Sequence, residues 1–336
     1  MNVVWIFLDG VGLGVDDPEV NPWASVIDPT LIAVANRGPS WPGAVMKPLD
    51  ATLGITGLPQ SATGTTAMLT GINAPQKIGR HLSGFPTPAL QAIIHEHSVH
   101  KQAIERGLKP TFANAYNEAY FKRPKRRESV TTHAVHAAER LGMRFRMMDD
   151  YRNGLAVFHD LTGELIRIQG NGDRLTAPAN KQVVFKRFVR DPKAFREMVA
   201  QWEIEVIDPV EAGHRIARLA PEHDLVLFEY VKTDMMGHDC DPGWATDVVN
   251  EVMLFLRALL DDLDTSRDTL LISSDHGNSE DITVKTHTLN PVPAVALGPL
   301  AHQILDRCNS ILDITPALLD TLDNHRKQGQ SLNTGN

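Results

Sequence analysis

Seven residues of this chain combine acid, imidazole and hydroxyl groups in positions from which a metal-assisted reaction can be built: Asp9, Ser61, Asp234, His238, Asp275, His276 and His287. Asp275 and His276 follow the apolar run Leu270-Leu271-Ile272 after two serines, and Asp9 directly follows Val3-Val4-Trp5-Ile6-Phe7-Leu8. An adjacent acid and imidazole fill a core poorly, because an unpaired buried carboxylate is costly. Beside a divalent cation the same pair becomes two ligands. For Asp275-His276 alone, a solvated turn is the bland alternative. Asp234 and His238 stand in D-x-x-x-H spacing, which on a helical turn puts both side chains on one face, in reach of one ion. Ser61 lies just ahead of a small, hydroxylic stretch whose helix is expected to begin near Thr63–Thr65 and end at Gly71. Free N–H groups and the helix dipole favour an anion at such a place, while a plain N-cap is the other use of a serine there.

Three Asp and three His are enough for two neighbouring divalent sites with a hydroxyl aimed between them. Phosphoryl transfer asks for that arrangement, since charge on the attacking, leaving and equatorial oxygens must be neutralised together. A hydroxyl held by a cation loses its proton more readily, so no adjacent general base is required. Mixed imidazole and carboxylate donors suit Mn, Zn or Fe better than Mg or Ca.

The elements that must position these groups are strands covered on both faces. Val3–Leu8 and Leu270–Ile272 are continuous apolar runs and Asp224–Tyr230 reads as a third covered strand, as expected inside an α/β sheet. Ligand sites in open α/β sheets gather at the carboxyl ends of such strands. Gly10, Gly12 and Gly14 after the first run do not match the dinucleotide spacing. Ala245–Leu263 carries the clearest helical stripe, Asp208–Leu219 reads as a helix, and a closing helix is expected from Asp313-Ile314-Thr315-Pro316 to about Leu322, with a loose tail from Asn324. Asp17–Pro48 reads as a loop-rich rim with a short helix near Thr30–Asn36. Between about Phe85 and Arg190 the strand-end acids disappear. Pro86–Leu108 and Ser129–Met143 look helical there, and Ala156–Phe158, Glu164–Gln169 and Gln182–Val189 look like strands. The reading is therefore a metal-binding catalytic core over 1–84 and 191–336 with an α+β cap inserted at 85–190.

The whole chain of 336 residues is 42% hydrophobic and 22% charged, ordinary for a globular protein. A formal charge of -8 argues against a nucleic-acid partner. Two cysteines indicate no disulfide framework, and Val3–Leu8 is too short for a signal peptide or membrane span, so a cytoplasmic location is expected. The basic run Lys122–Arg127 is a solvated surface unless it meets an anionic substrate under the cap. His133 and His136 share a helix face and are expected at the surface, with reach to a substrate as the alternative. Lys77, Arg80 and His81 are candidates for touching phosphate. Cys240, close to His238, is expected to play no metal role.

Several stretches resemble the alkaline phosphatase superfamily, and within it the cofactor-independent phosphoglycerate mutase and phosphopentomutase branch of metalloenzymes. They are Phe7-Leu8-Asp9-Gly10, Gly57-Leu58-Pro59 with Ser61-Ala62-Thr63-Gly64, Asp234-Met235-Met236-Gly237-His238, Asp275-His276-Gly277-Asn278, and His287-Thr288-Leu289-Asn290-Pro291-Val292-Pro293. The resemblance implies a mostly parallel sheet sandwiched by helices. It further implies one metal on Asp234, His238 and His287, a second on Asp9, Asp275 and His276, and Ser61 as the nucleophile that carries a phosphoryl group. Manganese is implied for the mutase branch and zinc for the phosphatase branch. The expected substrate is a small phosphate ester, handled by a phosphomutase or alternatively by a phosphatase, with a catalytically silent metal-binding module as a third reading. Two departures stand out. The mutases have S-x-x-G-H around the nucleophile where this chain has Thr65 in the last place, and the loop from Gly57 to Ser61 is shorter, which leaves Thr63 and Thr66 as substitute nucleophiles.

Overall fold

The computed structural model describes residues 1–26, 37–122, 124–165 and 204–333, with the side chains of 119 and of 329–333 excepted. Its centre is a six-stranded sheet: β1 (Val3–Leu8), β2 (Val45–Leu49), β3 (Pro110–Phe112), β4 (Leu225–Tyr230), β5 (Thr269–Ser273) and β6 (Val292–Leu297), ordered β2-β6-β5-β1-β4-β3. β1 runs parallel to both β4 and β5, β3 is parallel to β4, and β6 and β2 complete one edge antiparallel. The sheet is thus mixed and mostly parallel, as the covered apolar runs predict.

β1 is buried along its whole length, and its side chains divide between two cores. Val4, Ile6 and Leu8 face the layer that holds the helices Pro209–Ala217 and Pro242–Asp262. Val3, Trp5 and Phe7 face the layer of Ser61–Thr70, Pro88–His97, Val99–Glu105, Val130–Glu139 and the long closing helix. Burying such side chains is favourable by roughly 2 kcal/mol apiece. Summed over β1, that outweighs the several kcal/mol it costs to desolvate one carboxylate. The strand can therefore carry Asp9 to a half-buried position at its end.

Residues read from sequence as the start of an inserted cap belong instead to the sheet and its helical layer. β3 extends the sheet beyond β4, and Ala113 and Ala115 continue the ladder by hydrogen bonds with Val157. Thr111 and Phe112 are too short an apolar run to register as a strand without β4 beside them. The expected strand at Ala156–Phe158 is reduced to single bridges from Val157 and Phe158. The expected strand Gln182–Val189, most of Glu164–Gln169 and the helix near Thr30–Asn36 lie outside the described residues.

Other boundaries also move. Pro86–Leu108 is two helices that meet at Ser98, whose hydroxyl caps the second by accepting from the Lys101 N–H. β2 interrupts the rim read as loop, held by pairing with β6 although Lys47 and Pro48 break its apolar run. The closing helix runs on from Ile314 to Asn333, and Arg326 within it donates to the Gly107 carbonyl, so the polar tail is helical where loose chain was expected. Among the described residues no helix is long and apolar enough to cross a membrane.

Candidate metal centre

The carboxyl ends of β1, β4 and β5 meet at one place. Asp9 leaves β1, the helix Lys232–Asp239 follows β4 after one residue, and Asp275 and His276 follow β5. Asp9 is pinned from both sides, its N–H donating to the Tyr230 carbonyl and its own carbonyl accepting from Thr233 Oγ1. Gly10 turns the chain away at φ +68°, where a Cβ would meet Asp234 Oδ1 at 2.8 Å. On the helix, Asp234 and His238 share one face, with Oδ2 and Nε2 3.5 Å apart. Asn278 reaches across from the β5 loop, and its Nδ2 donates to the Asp234 backbone oxygen at 3.0 Å and to Oδ1 at 2.7 Å.

The imidazoles decide what the cluster can do. Nδ1 of His287 lies 2.7 Å from the Pro59 carbonyl, and Nδ1 of His238 lies 2.8 Å from the Lys285 carbonyl. A carbonyl only accepts, so both rings carry a proton on Nδ1, which leaves the Nε2 lone pair free in the neutral ring. Those two Nε2 atoms stand 3.2 Å apart, each 3.5 Å from an Asp234 oxygen. Nε2 of His276 stands 3.4 Å from Asp9 Oδ1 and 3.6 Å from Asp275 Oδ2. Donors held about 2.0–2.2 Å from one tetrahedral cation are themselves roughly 3.3–3.5 Å apart. The measured separations, 3.2–3.6 Å, lie within about 0.1 Å of that spacing, and the buried Asp9 Oδ1 has no hydrogen-bond partner. The residues therefore suit two divalent cations, with the His276 ring stacked on His287 at 3.8 Å between the groups.

Electrostatics agree with the geometry. Burial, reinforced by the charges of Asp275, Asp234 and Glu229, raises Asp9 well above the usual carboxylate range. Burial also works against ionised Asp234, but the His287 hydrogen bond and the neighbouring imidazoles outweigh it and hold Asp234 far below that range. Burial lowers His276. For His287, burial acts in the same direction but is overcome by Asp234, so the net shift is upward. Such crowded acids call for positive charge, which a bound cation supplies more completely than a shared proton.

Ser61 opens the helix Ser61–Thr70 and lies inside its first turn rather than ahead of it. Gln60 occupies the cap position, so the plain N-cap reading does not apply. The Ser61 hydroxyl lies 2.9 Å from His276 Nε2. Thr63 and Thr66 turn away: Thr63 Oγ1 bonds within its own turn to the Gln60 carbonyl and Thr66 Oγ1 to the Ala62 carbonyl, and both residues are fully buried. Neither is placed to replace Ser61. Thr65 faces the centre, donating to Asp275 Oδ2 at 2.6 Å.

A cavity of about 750 Å³ opens over the centre. Arg127 and Lys285 line it together with Ser61, Asp9 and Asp234, so one member of the basic run does reach the site while Lys122, Lys125 and Arg126 are exposed. Lys77, Arg80 and His81 are not among its lining residues; Lys77 and Arg80 are exposed, and His81 Nε2 faces the Ile55 carbonyl. Cys240 Sγ donates to the carbonyls of Gly237 and Val284.

Three acidic or amide side chains matter that the sequence reading did not single out. Glu229, buried near the end of β4, lines the cavity and accepts from Thr131 Oγ1 at 2.7 Å. Its signal was a lone charge inside the otherwise uncharged Leu225–Tyr230. Glu280, fully buried, accepts from Gly12 N, Asn278 N, Asn290 Nδ2 and Thr288 Oγ1. Asn278 was visible only as part of a motif.

The Metalloenzyme superfamily profile matches residues 208–325. The 2,3-bisphosphoglycerate-independent phosphoglycerate mutase of Desulforudis audaxviator is 31% identical over 107 residues, covering 30% of this chain and 21% of the mutase. The match therefore spans about a fifth of that relative's length. Among solved structures, the PH0037 protein from Pyrococcus horikoshii superposes with a TM-score of 0.53 at 11% identity, covering 96% of this chain and 97% of that one. Alkaline phosphatase from the Antarctic bacterium TAB5 gives 0.51 at 12% identity with the same coverage. The chain has an alkaline-phosphatase-like fold, and its second half carries the metalloenzyme sequence pattern.

Proposed function

We propose that this protein is a two-cation phosphoryl-transfer enzyme that takes the phosphoryl group of a small phosphate ester onto Ser61. The observation that carries the reading is the convergence of imidazole Nε2 atoms and three carboxylates beside the Ser61 hydroxyl. In it, Asp234, His238 and His287 hold one cation and Asp9, Asp275 and His276 the other; the donor set favours Mn or Zn. Bound there, the cations would neutralise the transferring oxygens and ease deprotonation of the serine.

The chain's own groups do the rest. Ser61 presents its oxygen from the positive end of a ten-residue helix, which favours the incoming anion. Arg127 and Lys285 supply fixed positive charge around the same cavity. The serine oxygen forms a bond to phosphorus as the ester oxygen leaves with a proton from solvent, giving phosphoserine and the free alcohol. Phosphomutase-like action then returns the group to another hydroxyl of the substrate, a reading supported by the mutase name of the relatives. Hydrolysis passes it to water instead, supported by Thr65 in place of the mutases' histidine. The partner in this reading is a small phosphorylated molecule and not a nucleic acid.

The test is metal analysis with a phosphate-ester panel on wild type and Ser61→Ala. Two cations per chain, with turnover lost on substitution, is the expected result. Bound cation without turnover on any ester would favour a silent binding module. The fate of isolated phosphoenzyme separates the remaining two: release to water at the overall turnover rate rules out the mutase.

A further inference from the structure

Ser61 and Thr65 are four residues apart on one helix, so their hydroxyls share a face. They meet consecutive residues of the β5 loop, Ser61 at His276 Nε2 and Thr65 at Asp275 Oδ2. Asp275 belongs only to the group completed by Asp9, whereas His276 lies within reach both of Asp9 and Asp275 and of Asp234 and His287. The Thr65 bond, at 2.6 Å, is buried: Thr65 is 4% exposed and Asp275 fully covered. A carboxylate only accepts hydrogen bonds, so Thr65 is the donor. Gly64, between the two hydroxyls, makes the approach possible, since a Cβ there would come within 2.8 Å of the Asp275 carbonyl oxygen.

On the two-cation reading above, we infer that Thr65 is a positioning residue that orients Asp275 for the cation shared with Asp9 and His276, and that it acts on that cation and not on the one held by Asp234, His238 and His287. A neutral donor fixes the carboxylate while leaving its charge for the cation. Outer hydrogen bonds of this type typically govern metal affinity by about 10–100-fold. Thr65 also ties the serine's helix to a ligand, so that the hydroxyl and the cation are placed by one contact.

Calorimetric titration of chelator-stripped protein with Mn²⁺ tests this, with Asp9→Asn identifying the event that belongs to the Asp9 group. Thr65→Val removes the donor and keeps the branched shape; Thr65→Ala serves if the valine variant does not fold. The expected result is a 10–100-fold loss of affinity in the Asp9 event alone, recovered in Thr65→Ser. Unchanged affinities, equal weakening of both events, or a serine variant as weak as the valine one each overturn the inference. Wild type that takes up no Mn²⁺ overturns the two-cation reading itself, which separates the two failures.

Discussion

Among the described residues, two places bring imidazoles together, and one of them has the makings of a metal centre. In the helical layer, His133 Nδ1 lies 3.4 Å from His95 Nε2, and the His133 ring lies 5.5 Å from His95 and 6.2 Å from His136. There the polar atoms satisfy one another in pairs. His133 Nε2 faces the Lys125 carbonyl, and the two nitrogens of His136 face Glu139 and Glu128. Lys101, Lys125 and Arg140 line the neighbouring cavity of about 600 Å³. At the β1–β4–β5 edge, carbonyls occupy Nδ1 of His238 and His287, and the remaining lone pairs point at carboxylates. Closeness of imidazoles is common to both places, whereas convergence of lone pairs belongs to one. His133, expected at the surface, is in fact 2% exposed.

The sharpest way to break the contrast is at the centre itself. Ser61→Ala should lower ester turnover on the order of 10³-fold or more while cation content stays at the wild-type value; His133→Ala should leave turnover unchanged. Chelation should come next. Cation at a thousand times its dissociation constant stabilises a fold by about 4 kcal/mol per site. Denaturant midpoints should therefore fall on metal removal in wild type and in His95→Gln alike, and by about half as much in Asp234→Asn, which keeps the Asp9 group. A smaller effect is expected from Asn278→Ala, which frees Asp234 and should weaken Mn²⁺ binding by roughly 10–100-fold without abolishing it.

The imidazole cluster gives a pH test of opposite character. Burial is the main cause that lowers His133 to about 4 from an ordinary 6.5, so the folded protein keeps it neutral while the unfolded chain takes up a proton below 6.5. Its contribution is fully present above about pH 6.5 and lost as pH falls toward 4. Urea unfolding across that window should show a shallower acid decline in His133→Gln, and identical slopes would contradict the assignment.

Much of this was legible in the chain because covered strands announce themselves. Val3–Leu8 and Leu270–Ile272 have no period of two, and the acids after them mark where the sheet ends. The D-x-x-x-H spacing located one face of one helix, which the structure keeps. Contacts between segments far apart in sequence were not legible. β3 is three residues long and exists through β4, β2 exists through β6, and the bond from Thr65 to Asp275 joins positions 210 residues apart. Local pattern carries no record of such partners. Glu280 is the extreme case, four residues past His276 with nothing in its neighbourhood to distinguish it from a surface acid.

That buried glutamate bears on the order in which the protein assembles. It joins the Gly12 loop to the loops carrying Asn278 and Thr288, and its bond to Gly12 closes a span of 268 residues. Closure over such a length is slow, and proteins dominated by distant pairings fold later and more slowly than those built from local ones. A segment cut to residues 208–325 would contain Asp234, His238, Asp275, His276 and His287 but neither Asp9 nor Ser61. Under the two-cation proposal, uptake of both cations would report completion of the fold, with the first strand in place, rather than folding of the half that carries five of the six proposed ligands.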